Sequence, residues 1–381
     1  MELGDRPRAM PPRDPGPVAV ILGGPSAEHD VSVVSGLAIA AALEADGTPI
    51  ERVLIDLDGS WWWLPEDDQE RAASDYDDPA AMGAQGPYRV GAAIDRLASA
   101  WPAPLAFIAL HGPFGEDGTL QALLDAVDIS YTGSGVAASA LGMDKSLFKR
   151  LVAGLGLPVT PWREVRVEAW RRSSDSVLAE LEAFATSLGD ARLIVKPARL
   201  GSSVGISLAH DAAERGPALD LAFRHDTLAL VERYVAGARE LEVAVLGNEP
   251  AAIEVYGPGE VISGHELYDY AAKYTPGLSE TAAHAELDAT ERATILKIAR
   301  DAYRAVGAEG FARVDFLLGA DGPILSEINT IPGFTPISLF PRMPVEGGYD
   351  FTAVCRRVLE LARARGERRV ARRLRPEDLP R

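Results

Sequence analysis

The chain has 381 residues, with 56 Asp and Glu against 38 Lys and Arg and a formal net charge of -18. A body this acidic repels nucleic acid and anionic lipid, so neither is an expected partner, and any phosphate it binds must be held by a local basic site. The length exceeds what one hydrophobic core usually holds, so two or three domains are expected, and 47% apolar with 25% charged residues is the composition of a soluble globular protein.

The start, "MELGDRPRAMPPRDPGP", is polar and Pro-rich and lacks the charged-then-apolar order of a signal peptide, so residues 1–16 are expected to be disordered. The first expected strand is "PVAVILGG". A helix follows, "VSVVSGLAIAAALEADG", stopped by Gly47, and then the strand "IERVLIDL". "DGSWWWLP" reads as a hairpin edge in which Trp61, Trp62 and Trp63 serve packing. Residues 66–90 are acidic and irregular and read as a loop. "PLAFIALHG" is a buried strand and "TLQALLDAV" a helix. This alternation predicts a parallel sheet with helical crossovers, an α/β architecture.

The texture changes near residue 134. Helix "SLFKRLVAGLG", strand "WREVRV", helix "SVLAELEAFATSLG", strand "RLIVKP", a Gly/Ser loop, strand "VGISLA" and a further helix are expected in turn. "TLALVERYV", "ARELEVAVLG" and "EPAAIEVYG" read as strands, and 257–283 as a long loop. "ATERATILKIARDAYRAVG" is a helix, "FARVDFLLG" and "PILSEI" are strands, and a last helix spans about 348–365. The Arg-rich tail reads as a solvated terminus. No apolar run is long enough to span a bilayer. The one cysteine, Cys355, forms no internal disulfide, and within "FTAVCRRVLELA" it reads as a small buried residue of a helix. A reducing, cytoplasmic setting is expected.

Several short stretches carry chemistry. In "FARVDFLLGADGPILSEIN", "ADG" suits a three-residue hairpin loop with Gly322 in the left-handed position. That register pairs Gly319 with Pro323, Asp315 with Glu327, and Arg313 with Asn329, all four site residues on one face. Two carboxylates and a carboxamide oxygen so placed suit magnesium with bound phosphates; an exposed face with an ion pair is the competing reading. A one-residue slip would scatter the set over both faces. "VKPARLGSSVGI" places Lys196 before Gly201, Ser202, Ser203 and Gly205, a loop able to approach phosphate, or an ordinary hairpin turn. Lys145 in "GMDKSLFKRL" opens a helix, where dipole and cation favour an anion; a surface lysine is the plainer reading. Glu28 in "GGPSAEHDVS" either binds a cationic group or caps the following helix. His111 in "HGPFGEDGT" ends a buried strand, where open α/β sheets place ligand groups, or is a turn histidine.

Taken together, "HGPFGEDGT", "YTGSG" with "MDK", "GSSVG" and "EINTIPGFTPISL" resemble the D-alanine:D-alanine ligase family of the ATP-grasp superfamily, over about residues 18–360. The resemblance implies a three-domain ATP-grasp fold. Residues 1–133 would form a Rossmann-like (pre-ATP-grasp) substrate domain, 134–230 the central domain, and 231–381 the C-terminal domain, with ATP held between the last two. It implies that Lys145 and Lys196 contact phosphates beside the Ser202–Ser203 loop. Glu232 takes the adenine amino group, the backbones of Arg233 and Val235 line the ring, and Glu240 holds the ribose. Asp315, Glu327 and Asn329 hold magnesium or manganese, as two ions. Arg313 and the Gly333 N–H form an oxyanion hole. Glu28, with Ser202 and Tyr274 hydrogen-bonded to it, binds the first D-alanine's ammonium, and His111 lies beside that subsite. Ser338 and the Leu339 backbone clamp the second substrate's carboxylate, and Lys273 closes with the 257–283 loop as a lid. The implied activity joins two D-alanines through an acyl phosphate, by a homodimer. Tyr274 favours D-alanine as acceptor; alternatives are D-serine, D-lactate, or a catalytically silent nucleotide-binding protein. The chain departs from the family's pattern at Ala238, one residue extra before Glu240, at Ala198 and Leu200, and in "SETAAHAELDA".

Overall fold

The computed structural model describes residues 16–66, 72–101, 104–249, 252–263 and 279–370. Within them the chain builds three sheets. The first has the order β4-β3-β2-β1-β5-β6, from β1 (Val18–Gly23), β2 (Ile50–Ile55), β3 (Trp61–Trp63), β4 (Gln85–Tyr88), β5 (Leu105–Ile108) and β6 (Ser130–Tyr131). β1 runs parallel to β2 and β5, and β5 parallel to β6, with helix α1 (His29–Ala45) crossing between β1 and β2. All residues of β1 and β5 are buried, which is why both read as unbroken apolar runs. Because β1 and β5 are parallel neighbours, the loops bearing Glu28 and His111 leave the same end of the sheet.

Residues 66–90 are not simply a loop. They contain β4, which pairs outside β3 and makes β4 the edge, and a 3-10 turn at Ala73–Asp77. "QGPY" has no alternation and holds a proline, so its strand state comes from pairing with the tryptophans, not from propensity. All three tryptophans are buried, and Trp63 meets Tyr88 edge-on with the Arg96 guanidinium 4.2 Å from its ring centre.

Helices α2 (Val90–Ala100), α3 (Thr119–Ala126), α4 (Val136–Met143) and α5 (Lys145–Gly154) lead into the second sheet. That sheet has the order β7-β10-β8-β9, from β7 (Trp162–Arg166), β8 (Leu193–Pro197), β9 (Ser207–Ala209) and β10 (Leu228–Arg233). Its helices are α6 (Val167–Arg172), α7 (Ser174–Leu188) and α8 (Arg215–Ala222). The division expected at 230/231 falls inside β10, which pairs along its length with β7 and β8. The stretch around 146–156 packs elsewhere: Phe148 and Val152 of α5 share a core with the third sheet and its helix α9 (Ala289–Val306).

The third sheet is antiparallel, in the order β13-β12-β11-β14-β15. Its strands are β11 (Arg239–Gly247), β12 (Glu254–Ser263), β13 (Ser279–Ala282), β14 (Gly310–Gly319) and β15 (Gly322–Asn329). Both ends of the loop expected at 257–283 are therefore strand. Lys273 and Tyr274 lie outside the described residues. A short helix, α10 (Leu339–Arg342), and the last helix, α11 (Phe351–Val370), complete the fold. α11 reaches past the expected end near 365, and residues 371–381 lie outside the described residues. Cys355 is fully buried in it, and burial pushes its thiol up to about 12, as a packing residue requires. No helix among the described residues is long and apolar enough to cross a membrane.

The β14–β15 hairpin corrects the expected turn. Gly319 pairs with Gly322, so the connection is the two residues Ala320 and Asp321, although Gly322 does take a positive φ of 104°. Phe316 then pairs with Leu325, but Asp315 pairs with Glu327, because Ser326 is an extra residue on β15. The bulge restores the register expected at the site, with Arg313 opposite Asn329. Without it Ser326 would face Asp315, and Glu327 would turn into the core.

Candidate active site

The three sheets close around a cleft of about 1100 Å³. Its lining includes each described residue to which the resemblance assigns a role: Glu28, His111, Lys145, Lys196, Ser202, Ser203, Glu232, Arg233, Val235, Glu240, Arg313, Asp315, Glu327, Asn329, Gly333, Ser338 and Leu339; Gly205 of the Gly/Ser loop does not line it.

One wall is the hairpin face. The Arg313 guanidinium donates to both Asp315 oxygens, from Nε at 2.7 Å and from Nη2 at 2.6 Å, and Asn329 Nδ2 donates to Asp315 Oδ2 at 2.8 Å. Glu327 Oε2 lies 2.9 Å from Lys145 Nζ, which also donates to the Leu200 carbonyl at 2.9 Å. Burial works most strongly against the Lys145 ammonium, but the charge and hydrogen bond of Glu327, with the charges of Glu116 and Glu232, together outweigh it and its pKa ends above the ordinary value. So each acid of the opposed pair meets a protein cation. Asp315, Glu327 and the Asn329 carboxamide form an all-oxygen donor set, which fits magnesium and not a soft metal. A fourth group, missed in the sequence, joins them: Glu242 on β11 sits opposite Asp315, its Oε2 3.4 Å from Arg313 Nε. The alternation of "RELEVAV" put it on the same face as Glu240.

Lys145 is the first residue of α5, but the anion site expected at that helix start is closed. Asp144 caps it, accepting from the N–H groups of Ser146 and Leu147. The lysine acts through its side chain alone.

The opposite wall brings Glu28 to the Gly/Ser loop. Glu28 is the N-cap residue of α1 yet makes no side-chain cap bond; its Oε1 accepts from the Ser202 hydroxyl. This decides between binding and capping in favour of an acid facing the cleft. The carboxylate is wedged between two backbones: a Cβ on Gly112 would lie 2.5 Å from Glu28 Oε2, and one on Gly201 3.0 Å. Ser202 and Ser203 have φ of 49° and 56°, the left-handed region, which non-glycine residues rarely adopt and which concentrates at ligand clamps.

His111 lines the cleft but both ring nitrogens are engaged. Nδ1 lies 2.9 Å from the Ile331 carbonyl and Nε2 3.0 Å from the Ser35 hydroxyl. A carbonyl only accepts, so Nδ1 carries the proton and Nε2 accepts from Ser35. Burial holds His111 below its ordinary pKa of 6.5, keeping this neutral form. Its role is thus to hold the chain just before Pro332–Gly333. Glu116, also missed in the sequence, holds it from the other side, accepting from the N–H of Ile331 at 3.1 Å and of Gly112 at 2.8 Å. Next to Gly333, Phe334 is buried against the rings of Phe107, Phe311, Phe340 and Phe351, 5.5–5.9 Å between centres. Ser338 is the N-cap residue of α10, and its hydroxyl lies 2.8 Å from that of Thr335.

Burial, then the Glu28 charge, pushes the Glu116 carboxyl from 4.5 up to about 8. The folded chain therefore holds a proton that the unfolded chain releases between those values, so this group's contribution falls as pH rises from about 4.5 to about 8. Urea titrations at the two ends of that window are expected to show wild-type stability falling relative to Glu116→Gln. Parallel curves would assign the carboxyl an ordinary pKa.

Residues 17–134 match the family model described as D-ala D-ala ligase N-terminus, and residues 151–360 that of D-ala D-ala ligase C-terminus. The chain is 39% identical over 368 residues to a D-alanine–D-alanine ligase of Kineococcus radiotolerans, covering 91% of this chain and 96% of the relative. It is 39% identical over 360 residues to one of Chlorobaculum tepidum, with the same coverage. Among solved structures, the D-alanine-D-alanine ligase from Coxiella burnetii superposes with a TM-score of 0.75 at 29% identity, over 93% of this chain and 97% of that one. The VanG D-Ala:D-Ser ligase from Enterococcus faecalis gives 0.78 at 30%, over 92% of this chain and 100% of that one.

Proposed function

The chain belongs to the D-alanine–D-alanine ligase family, and on that premise we propose how its cleft performs the family's reaction. It is an ATP-dependent ligase of ATP-grasp fold that joins two D-alanines through an acyl phosphate, supplying D-alanyl-D-alanine for peptidoglycan precursors. The observation that carries the reading is the convergence on one cleft of the Arg313–Asp315–Glu327–Asn329 face and the Glu28–Ser202 pair.

In this proposal Asp315, Glu327 and Asn329 hold magnesium or manganese, as two ions, which when bound neutralise phosphate charge. Lys145 and Lys196 align the ATP phosphates with the Ser202–Ser203 loop. Glu232 accepts from the adenine amino group, the Arg233 and Val235 backbones border the ring, and Glu240 holds the ribose. Glu28, oriented by Ser202, binds the first D-alanine's ammonium, which leaves its carboxylate to attack the γ-phosphate as the bond to the β-phosphate oxygen breaks and ADP leaves. The second amine then attacks the acyl carbon, loses a proton, and the acyl C–O bond breaks to release inorganic phosphate. Arg313 and the Gly333 N–H face the developing oxyanion, with Gly333 held in place through His111. Ser338 and the Leu339 backbone clamp the second carboxylate. Lys273 and Tyr274 would close over the site. We further propose three domains near the boundaries expected, a homodimer, and a cytoplasmic location.

Purified protein with ATP, magnesium and D-alanine is expected to release phosphate and yield the dipeptide by mass spectrometry. D-Serine and D-lactate as acceptors are expected to be poor. Equal use of D-serine would move the chain toward the specificity of the VanG D-Ala:D-Ser ligase, and no phosphate with any acceptor would sink the reading.

A further inference from the structure

Beneath the cleft lies a cation that the reaction does not use. Lys149, on α5, is 1% exposed, and its Nζ donates to Thr160 Oγ1 at 2.6 Å. That hydroxyl donates in turn to Glu232 Oε2 at 3.1 Å, and Nζ lies 3.4 Å from Glu232 Oε1. Thr160 and Glu232 are also buried. Glu232 has a second counter-ion, Lys196 at 3.1 Å, which lines the cleft, whereas Lys149 does not.

We propose that Lys149 is a specificity-determining positioning residue that makes the site select a 6-amino purine, by holding Glu232 ionised and fixed. It rests on the reading that Glu232 meets the adenine amino group. An ionised carboxylate only accepts hydrogen bonds, so it pairs with an amino group and repels the oxygen of a 6-oxo base. Lys196 cannot guarantee that state, because a nucleotide's phosphates draw it away from Glu232. Lys149 is sealed off from the phosphates, so its charge stays with Glu232 through binding. Thr160 fixes the orientation of both partners. Burial works against the Glu232 carboxylate, yet Lys196 and Lys149 together keep its pKa below the ordinary value.

The test compares ADP with IDP by calorimetry on the full chain with magnesium, and ATP with ITP in the D-alanine reaction. In Lys149→Met the preference for the 6-amino nucleotide is expected to fall about tenfold or more, the range of a hydrogen bond to a charged group. Lys149→Arg is expected to retain most of it. If the Met variant does not fold, Lys149→Gln keeps a bond to Thr160 without the charge and is expected to lose the preference likewise. A structural role would weaken both nucleotides by one factor and leave the ratio unchanged, which overturns the inference. Glu232→Gln separates the two claims. Its ratio is expected to collapse; an unchanged ratio there would remove the adenine reading itself. A collapsed ratio in Glu232→Gln with an intact one in Lys149→Met would remove only the role of Lys149.

Discussion

Replacing Glu327 by alanine is expected to lower D-alanine-dependent phosphate release by about 100- to 1000-fold, while the protein still melts cooperatively at a somewhat lower temperature. On the proposed reading the rate loss follows from the donor set: one of the three residues that would hold the cation is removed, and single preorganised electrostatic groups are worth about 100- to 1000-fold in such sites. Some stability is lost too, because Lys145, only 10% exposed, loses the Glu327 counter-charge while keeping the Leu200 carbonyl. The paired measurements are a coupled phosphate assay and a thermal melt, with magnesium titrated in both. A near-normal rate would mean the cation sits elsewhere than on the hairpin.

Arg313→Met is expected to damage rate and fold together. Arg313 is the counter-charge of Asp315 and lies 3.4 Å from Glu242, in a place where its side chain is only 19% exposed. Removing one member of a largely buried ion cluster leaves the acids facing each other, which costs about 3–5 kcal/mol. Turnover is expected to drop by about 100- to 1000-fold, as for loss of an oxyanion donor. The two effects are separable. Added magnesium supplies positive charge to Asp315 and is expected to recover part of the melting temperature but none of the rate. Recovery of both would make Arg313 a charge balancer without a part in the chemistry.

Much of this site was legible because its residues come from regular elements whose periodicity shows in the sequence. The loops after β1 and β5 that carry Glu28 and His111, and the shared face of Arg313, Asp315, Glu327 and Asn329, follow from apolar runs and alternation. The hairpin register came out right through two offsetting differences. The turn is one residue shorter than "ADG" suggests, and Ser326 adds one back. A trace was there: the core residues of β15 are Leu325 and Ile328, three apart where a regular strand would place them two or four apart. What sequence missed was set by tertiary contact. β4 is a strand only because Trp61 and Trp63 pair with it. Glu116 and Lys149 bear on the cleft through partners far along the chain, Ile331 and Glu232, and their own neighbourhoods give no hint of them.

The grip on Ile331–Phe334 bears on how freely the enzyme's parts can be exchanged. His111, Glu116 and Phe107 all belong to the stretch before residue 134, yet they fix the backbone beside the Arg313–Asn329 face of the far sheet. The N-terminal part is therefore no interchangeable cassette for the first amino acid. A chimera that swaps it would alter the very chain segment whose Gly333 N–H is proposed to face the acyl carbon. Substrate choice and catalytic competence would have to evolve in step.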